Sequence, residues 1–165
     1  MPLTSPAPGA LDFRAETKAD AAAVEKLLDH AFGPGRFTKV SERVREFAKF
    51  RPDISFCAWT DDILVGSVRM SAVRIGGAPA IFLGPLAVHA DQRNSGLGGQ
   101  LVERACEVAN AADFSIVLLV GDEPYFAKFG FSARLTSAVV MPGPVDPNRL
   151  LARGSTLPLV GPVTA

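Results

Sequence analysis

The chain has 165 residues, 48% of them hydrophobic, the length and composition of one ordinary folded domain. Its 17 Lys and Arg match its 17 Asp and Glu, so it lacks the basic field that draws a protein to nucleic acid or to an anionic membrane, and a small or neutral partner is favoured. The two cysteines, Cys57 and Cys106, stand far apart with no Cys or His at metal-ligand spacing, which argues against a zinc site or a disulfide framework and fits a reducing cytosol.

Residues 1 to 10 are rich in Pro and Ala and read as a poorly ordered tail ahead of one domain over 11 to 165. They carry neither the basic start nor the apolar run of a signal peptide, and no apolar stretch is long enough to span a bilayer, so a cytoplasmic, non-membrane protein is expected. Leu11 to Arg14 is the first strand-like stretch. Thr17 and Asp20 have capping-box spacing, and Val24, Leu27, Leu28, Ala31 and Phe32 then recur at helical intervals until Gly33-Pro34-Gly35. A second amphipathic helix follows, with Val40, Val44, Phe47 and Ala48 on its apolar stripe, ending before Pro52.

Ile54 to Trp59 and Ile63 to Ile75 read as the arms of a hairpin, joined at Thr60-Asp61-Asp62. After a Gly76-Gly77 turn, Ala80 to Val88 is a mostly apolar strand interrupted by Gly84-Pro85. A proline removes a ladder donor, so the pair predicts a bulge where this strand splays from its neighbour and leaves backbone groups free. Leu97, Leu101, Ala105, Val108 and Ala112 then share one helical face, which puts Gly96 near a helix start. Ile116 to Val120 is a wholly apolar strand of the kind covered on both faces. Asp122-Glu123-Pro124 opens a short helix carrying Tyr125, Phe126 and Phe129, closed by Gly130. Phe131 to Met141 reads as a final extended segment. Pro142 to Ala165 is expected to wrap the surface, with at most one strand near Leu157 to Val160.

The turn Arg93-Asn94-Ser95-Gly96-Leu97-Gly98 carries the chemical case. Glycines at a helix start let backbone amides approach an anion that the helix dipole also favours, and a pyrophosphate suits that geometry. A P-loop would need Gly-Lys-Ser/Thr, but Gly98 is followed by Gly99-Gln100; a dinucleotide fingerprint would need glycine where Leu101 stands. On spacing alone, a structural helix-start turn explains the glycines as well as an anion cradle does.

Leu86-Ala87-Val88, five further positions to Arg93, and then Arg-x-x-Gly-x-Gly resemble motif A of the GNAT N-acetyltransferase superfamily. The order of elements over residues 11 to 140, and the stretch Gly121-Asp122-Glu123-Pro124-Tyr125-Phe126 with Phe129-Gly130-Phe131, resemble it too. The resemblance implies an α/β (α+β) fold with a mixed, mostly antiparallel sheet, splayed at the Val88 strand and flanked by helices. It implies acetyl-CoA as cosubstrate, no metal, and transfer of the acetyl group to a primary amine on a small molecule or peptide; the strand edges allow a monomer or a homodimer. Leu86, Ala87 and Val88 would bind the pantetheine arm; Arg93, Asn94, Ser95, Gly96, Leu97, Gly98 and Gly99 would hold the pyrophosphate. No covalent enzyme intermediate is needed, so the lack of a nucleophilic triad is expected.

The family places its thiolate-protonating tyrosine four residues before the Gly of Gly-Phe, which here is Phe126. Tyr125 is therefore the substitute acid, although neighbours on a helix diverge by about 100°. The other account of Tyr125 is an aromatic with a capped hydroxyl. The same departure supports an alternative function: an acyl-CoA-binding module with weak or lost catalysis. Asp122 and Glu123 are the nearest base candidates, otherwise carboxylates at a helix N-terminus. His89 reads as solvated, and Cys57 and Cys106 as core residues.

Overall fold

A computed structural model describes residues 10–33, 35, 40–92 and 95–165; the expected N-terminal tail lies almost wholly outside the described residues. The chain begins with β1 (Asp12–Ala15), a 3-10 turn and α1 (Ala21–Phe32). The Asp20 carboxylate accepts from the Thr17 amide at 2.8 Å and from its hydroxyl at 3.0 Å, the local closure that the spacing predicts. Gly33, at φ +71°, ends α1 with its N–H on the Asp29 carbonyl. Then come α2 (Val40–Phe47), β2 (Lys49–Phe50), β3 (Phe56–Thr60), β4 (Ile63–Ile75) and β5 (Ala78–Val88). The remainder is α3 (Leu97–Ala111), β6 (Val117–Val120), α4 (Glu123–Phe126), β7 (Ala138–Val140), β8 (Leu150–Arg153) and β9 (Val160–Thr164).

The central sheet runs β1-β3-β4-β5-β6-β8, antiparallel at every junction except β5–β6. This is the mixed α/β fold with a mostly antiparallel sheet that the sequence predicts. α3 covers one face: Leu97, Leu101, Val102, Ala105 and Ala109 are buried there against strand residues that include Val68, Met70 and Ile81. Gly66 admits that helix, because a Cβ at Gly66 would come within 3.0 Å of the Leu101 side chain. On the opposite face, Val24, Leu27 and Leu28 of α1 pack on Cys57, Leu64 and Ala87, and Val44 of α2 packs with Val73, Phe82 and Leu118. Each fully buried leucine or phenylalanine in these layers contributes about 1.5–3 kcal/mol relative to exposure.

Arg69 of β4 joins elements that are distant in sequence. Its Nε lies 3.2 Å from Glu16 Oε1, its Nη1 lies 2.7 Å from Glu25 Oε1, and its guanidinium lies 5.7 Å from the Phe50 ring. The Glu16 side chain is buried, so this pairing links the end of β1 to α1 and the middle of the sheet.

Two expectations for the C-terminal third are corrected. Phe131 to Met141 is not a continuous extended segment: a 3-10 turn occupies Ala133–Leu135, and only Ala138–Val140 is strand. Pro142 to Ala165 does not merely wrap the surface. It supplies both β8 and β9, and Leu150, Leu151 and Ala152 are fully buried where β8 pairs antiparallel with β6. β9 pairs with the end of β4 and with β7. Its start depends on a close backbone approach: Gly161, at φ +117°, could not accept a Cβ, which would fall 2.6 Å from the Gly76 Cα.

Candidate active site

β5 and β6 pair at two positions, Ile81 with Val117 and Phe82 with Leu118, and then part. The cause lies in β5. Its register against β4 shifts between Met70↔Leu83 and Val68↔Leu86, so Gly84 and Pro85 face Arg69 as a bulge. Gly84 sits at φ +151° and the Gly84–Pro85 peptide is cis. Beyond Phe82, β5 continues to Val88 with β4 on one flank and, among the described residues, no strand on the other, as the Gly-Pro interruption predicts.

The gap is a cavity of about 770 Å³. Its floor is β5 from Phe82 to Leu86, its far wall is Leu119 to Asp122 with Phe126, and its rim is formed by α2 and residues 142–146 with Arg149. This volume lies within the range of small-molecule sites, roughly 300–1,000 Å³. Leu86 lines the cavity, whereas the Ala87 side chain is buried against α1, so these neighbours differ in side-chain direction while sharing one open stretch of backbone.

α3 begins beside the end of β5. Gly96, at φ +85°, stands at its N-cap, and the Ser95 hydroxyl donates to the Gln92 carbonyl at 2.5 Å and accepts from the Leu97 amide at 3.4 Å. Gly98 lies within van der Waals distance of Val88: a Cβ there would be 4.0 Å from Val88 Cγ2. The first turn of this 15-residue helix therefore lies beside the end of β5, and backbone amides of a helix's first turn have no partner within the helix. Arg93 and Asn94 lie outside the described residues.

The aromatic pair of α4 diverges. Phe126 lines the cavity, lying so close to Gly121 that a Cβ there would meet its ring at 2.4 Å. Tyr125 turns toward α3 instead, its ring edge-on to Phe126 at 4.9 Å and to Phe129 at 5.8 Å, with Lys128 Nζ 4.4 Å from the ring centroid. Burial pushes the Tyr125 phenol above its usual range. Asp122 stands at the N-cap position of α4 without a side-chain capping hydrogen bond and pairs with Arg149 Nε at 3.3 Å, while Glu123 accepts the Ala133 amide at 3.0 Å and so braces the following turn. His89 Nδ1 accepts the Asp91 amide.

Neither thiol is an activated nucleophile. Burial pushes Cys57 up to about 12, and it also raises Cys106. Among the described residues no group of three or more His, Cys, Asp or Glu could hold a metal ion, and no helix is long and apolar enough to cross a membrane.

Sequence reasoning missed the rim. Arg43 and Arg45 of α2, and Asp146 and Arg149 of the C-terminal segment, line the cavity. The available signal was local: the run Asp146-Pro147-Asn148-Arg149 puts charge and turn residues one position after Pro142-Gly143-Pro144.

Residues 21–131 match the Acetyltransferase (GNAT) family. An uncharacterised N-acetyltransferase of Escherichia coli strain K12, YhbS, is 30% identical over 122 residues, 72% of this chain and 71% of that protein. A second N-acetyltransferase of that strain, YjhQ, is 25% identical over 123 residues, 72% of this chain and 68% of that protein. The crystal structure of E. coli YhbS in complex with CoA superposes with a TM-score of 0.76 at 25% identity, covering 98% of this chain and 92% of that one. A GNAT acetyltransferase from Brucella melitensis, in complex with acetyl-CoA, shares the fold with a TM-score of 0.70 at 23% identity, covering 95% and 96% of the two chains. The chain belongs to the GNAT acetyltransferase family and is an acyltransferase.

Proposed function

We propose that this protein is an N-acetyltransferase that moves the acetyl group of acetyl-CoA to a primary amine, within one acyl-CoA-binding domain spanning 11–165. The observation that carries the proposal is the parting of β5 from β6 after two residue pairs, with the first turn of α3 beside the end of β5 at Val88. Solved relatives that contain CoA or acetyl-CoA support it.

In this reading the open backbone of Leu86, Ala87 and Val88 hydrogen-bonds the pantetheine arm along the unpaired flank of β5. The amides from Ser95 to Gly99, with Arg93 and Asn94 before them, hold the pyrophosphate, where the helix dipole adds to the hydrogen bonds. The neutral amine enters over Phe82 to Leu86 and attacks the thioester carbonyl, which a β5 amide near Leu86 or Ala87 polarises. A C–N bond forms, the C–S bond breaks, the amine loses a proton to water, and the departing thiolate takes one from the Tyr125 hydroxyl. Positioning supplies most of the rate, because cleft and helix fix two reactants that otherwise meet by diffusion.

One observation favours a second reading, a binding module with little turnover: the aromatic in the cavity wall is Phe126, which has no proton to give. Calorimetric titration with acetyl-CoA, paired with a thiol-release assay over a wide amine panel, separates the two. Binding with thiol release establishes the enzyme. Binding without release, together with activity created by Phe126→Tyr, establishes the module.

A further inference from the structure

The cavity rim carries information about the acceptor. Among the described residues, three guanidinium groups line the cavity, those of Arg43, Arg45 and Arg149, against two carboxylates, Asp122 and Asp146. Asp122 is engaged by Arg149 at 3.3 Å, and the Asp146 Oδ1 accepts the Asn148 amide at 2.9 Å. The acidic partners of the two α2 arginines, Glu46 for Arg43 and Glu42 for Arg45, are not part of the lining. Where α2 borders the cavity, the charged groups in its lining are thus guanidinium groups, each paired on its own helix.

Arg45 is the most enclosed of the three: its side chain is 18% exposed, against 46% for Arg43 and 51% for Arg149. Its contact with Glu42 runs through Nη2. A guanidinium has five donors in a fixed fork, so one engaged nitrogen leaves donors to meet a second planar anion, and partial burial strengthens that contact relative to one in water. Phe82, Leu83 and Phe126 line the same cavity. An acceptor with a second positive charge would meet the arginines. An acceptor with a carboxylate would have its charge matched at α2, its apolar part against the aromatic wall, and its amine over β5.

We propose that the acceptor is a small amine that also bears a carboxylate and an apolar side chain, the chemistry of an apolar amino acid, with Arg45 as the group that receives the carboxylate. This rests on the acetyltransferase reading and narrows it. It makes Arg45 a specificity-determining residue at some distance from the reacting atoms, which touches the acceptor and not the thioester.

The test uses matched amines that differ by one carboxylate: L-phenylalanine against phenethylamine, and L-leucine against 3-methylbutylamine. Each is measured by thiol release from acetyl-CoA and by calorimetric titration into CoA-saturated protein. The expected result is at least a tenfold higher kcat/KM for the amino acids, expressed mainly in KM, and tighter binding in the same order. In Arg45→Met, which keeps the apolar stem, the ratio of the paired kcat/KM values should fall at least tenfold, and Arg45→Lys should restore part of it. Titration of each variant with CoA reports whether fold and cofactor cleft persist. Equal or reversed preference in the wild-type protein, or a ratio unmoved by Arg45→Met when CoA still binds, overturns the proposal while leaving the acetyltransferase reading intact. Failure of the wild-type protein to bind acetyl-CoA overturns both.

Discussion

The hydroxyl of Tyr125 stands over Gly98: a Cβ on that glycine would lie 3.0 Å from the phenolic oxygen. Burial raises the pKa of this phenol, so the proton is retained to higher pH than in a free tyrosine, for which the midpoint is about 10. Tyr125 is the one tyrosine of the chain, so ultraviolet titration of phenolate reads it without overlap. The expected midpoint lies above that of free tyrosine, and one at or below it contradicts the partial desolvation of the hydroxyl on a residue that is otherwise 39% exposed. If Tyr125 is the acid, Tyr125→Phe should lower kcat about 10²-fold or more and remove the alkaline limb of the kcat profile. A rise in the KM for acetyl-CoA with kcat unchanged would give the hydroxyl a role in seating the cofactor instead.

Gly98→Asp tests the anion cradle. A carboxylate on the first turn of α3 favours the helix dipole but opposes a pyrophosphate in the same place, so the dissociation constant for acetyl-CoA should rise tenfold or more while thermal stability changes little. Gly98→Ala adds a methyl that a small movement of Tyr125 accommodates, and its effect should be several-fold smaller. Unchanged CoA affinity in Gly98→Asp would remove the pyrophosphate from this turn.

Arg69→Met should destabilise the protein by about 3–5 kcal/mol in urea unfolding, because it leaves the buried Glu16 carboxylate without its cation. Combining it with Glu16→Gln should recover part of the loss. Additive costs in the double variant would show that the pair is not coupled.

Cys57 and Cys106 are both buried, and burial raises both thiols. At pH 8 the folded protein should therefore leave both unmodified by iodoacetamide over a time in which the urea-unfolded chain reacts fully. Rapid labelling of either in the folded state, read by mass spectrometry, would contradict the packing of that strand or helix.

The elements that sequence reading located are those whose signal is local. α3 has its five apolar positions on one face, and Gly84-Pro85 marks the bulge because a ladder proline has few other places to go. β8 was missed because Leu150, Leu151 and Ala152 are too few to show a period, and their strand identity comes from pairing with β6, about 30 residues earlier in the chain. β9 contains Gly161 and Pro162, which local propensity reads as a turn; it is a strand because Gly76 and Gly161 let two backbones meet. In the site, the divergence of Tyr125 and Phe126 follows from helical geometry, but which of them faces the cavity depends on Gly121 making room for the Phe126 ring. The arginines of α2 look in sequence like the solvated face of an amphipathic helix, and only the return of residues 142–149 turns that face into a wall.

The short pairing of β5 with β6 has one more consequence. A strand with a bare flank normally lies at the rim of a sheet, where any extended chain can add to it and where aggregation begins. Here the bare flank is in the middle of the sheet, with β6 and β8 still beyond it and the rim from α2 and residues 142–149 closing over the gap. A second polypeptide would have to enter between β5 and β6 to pair with that flank, and could not simply add at the rim of the sheet. The protein has turned an edge inward, so that its free backbone groups border a cavity and not the outer rim of the sheet.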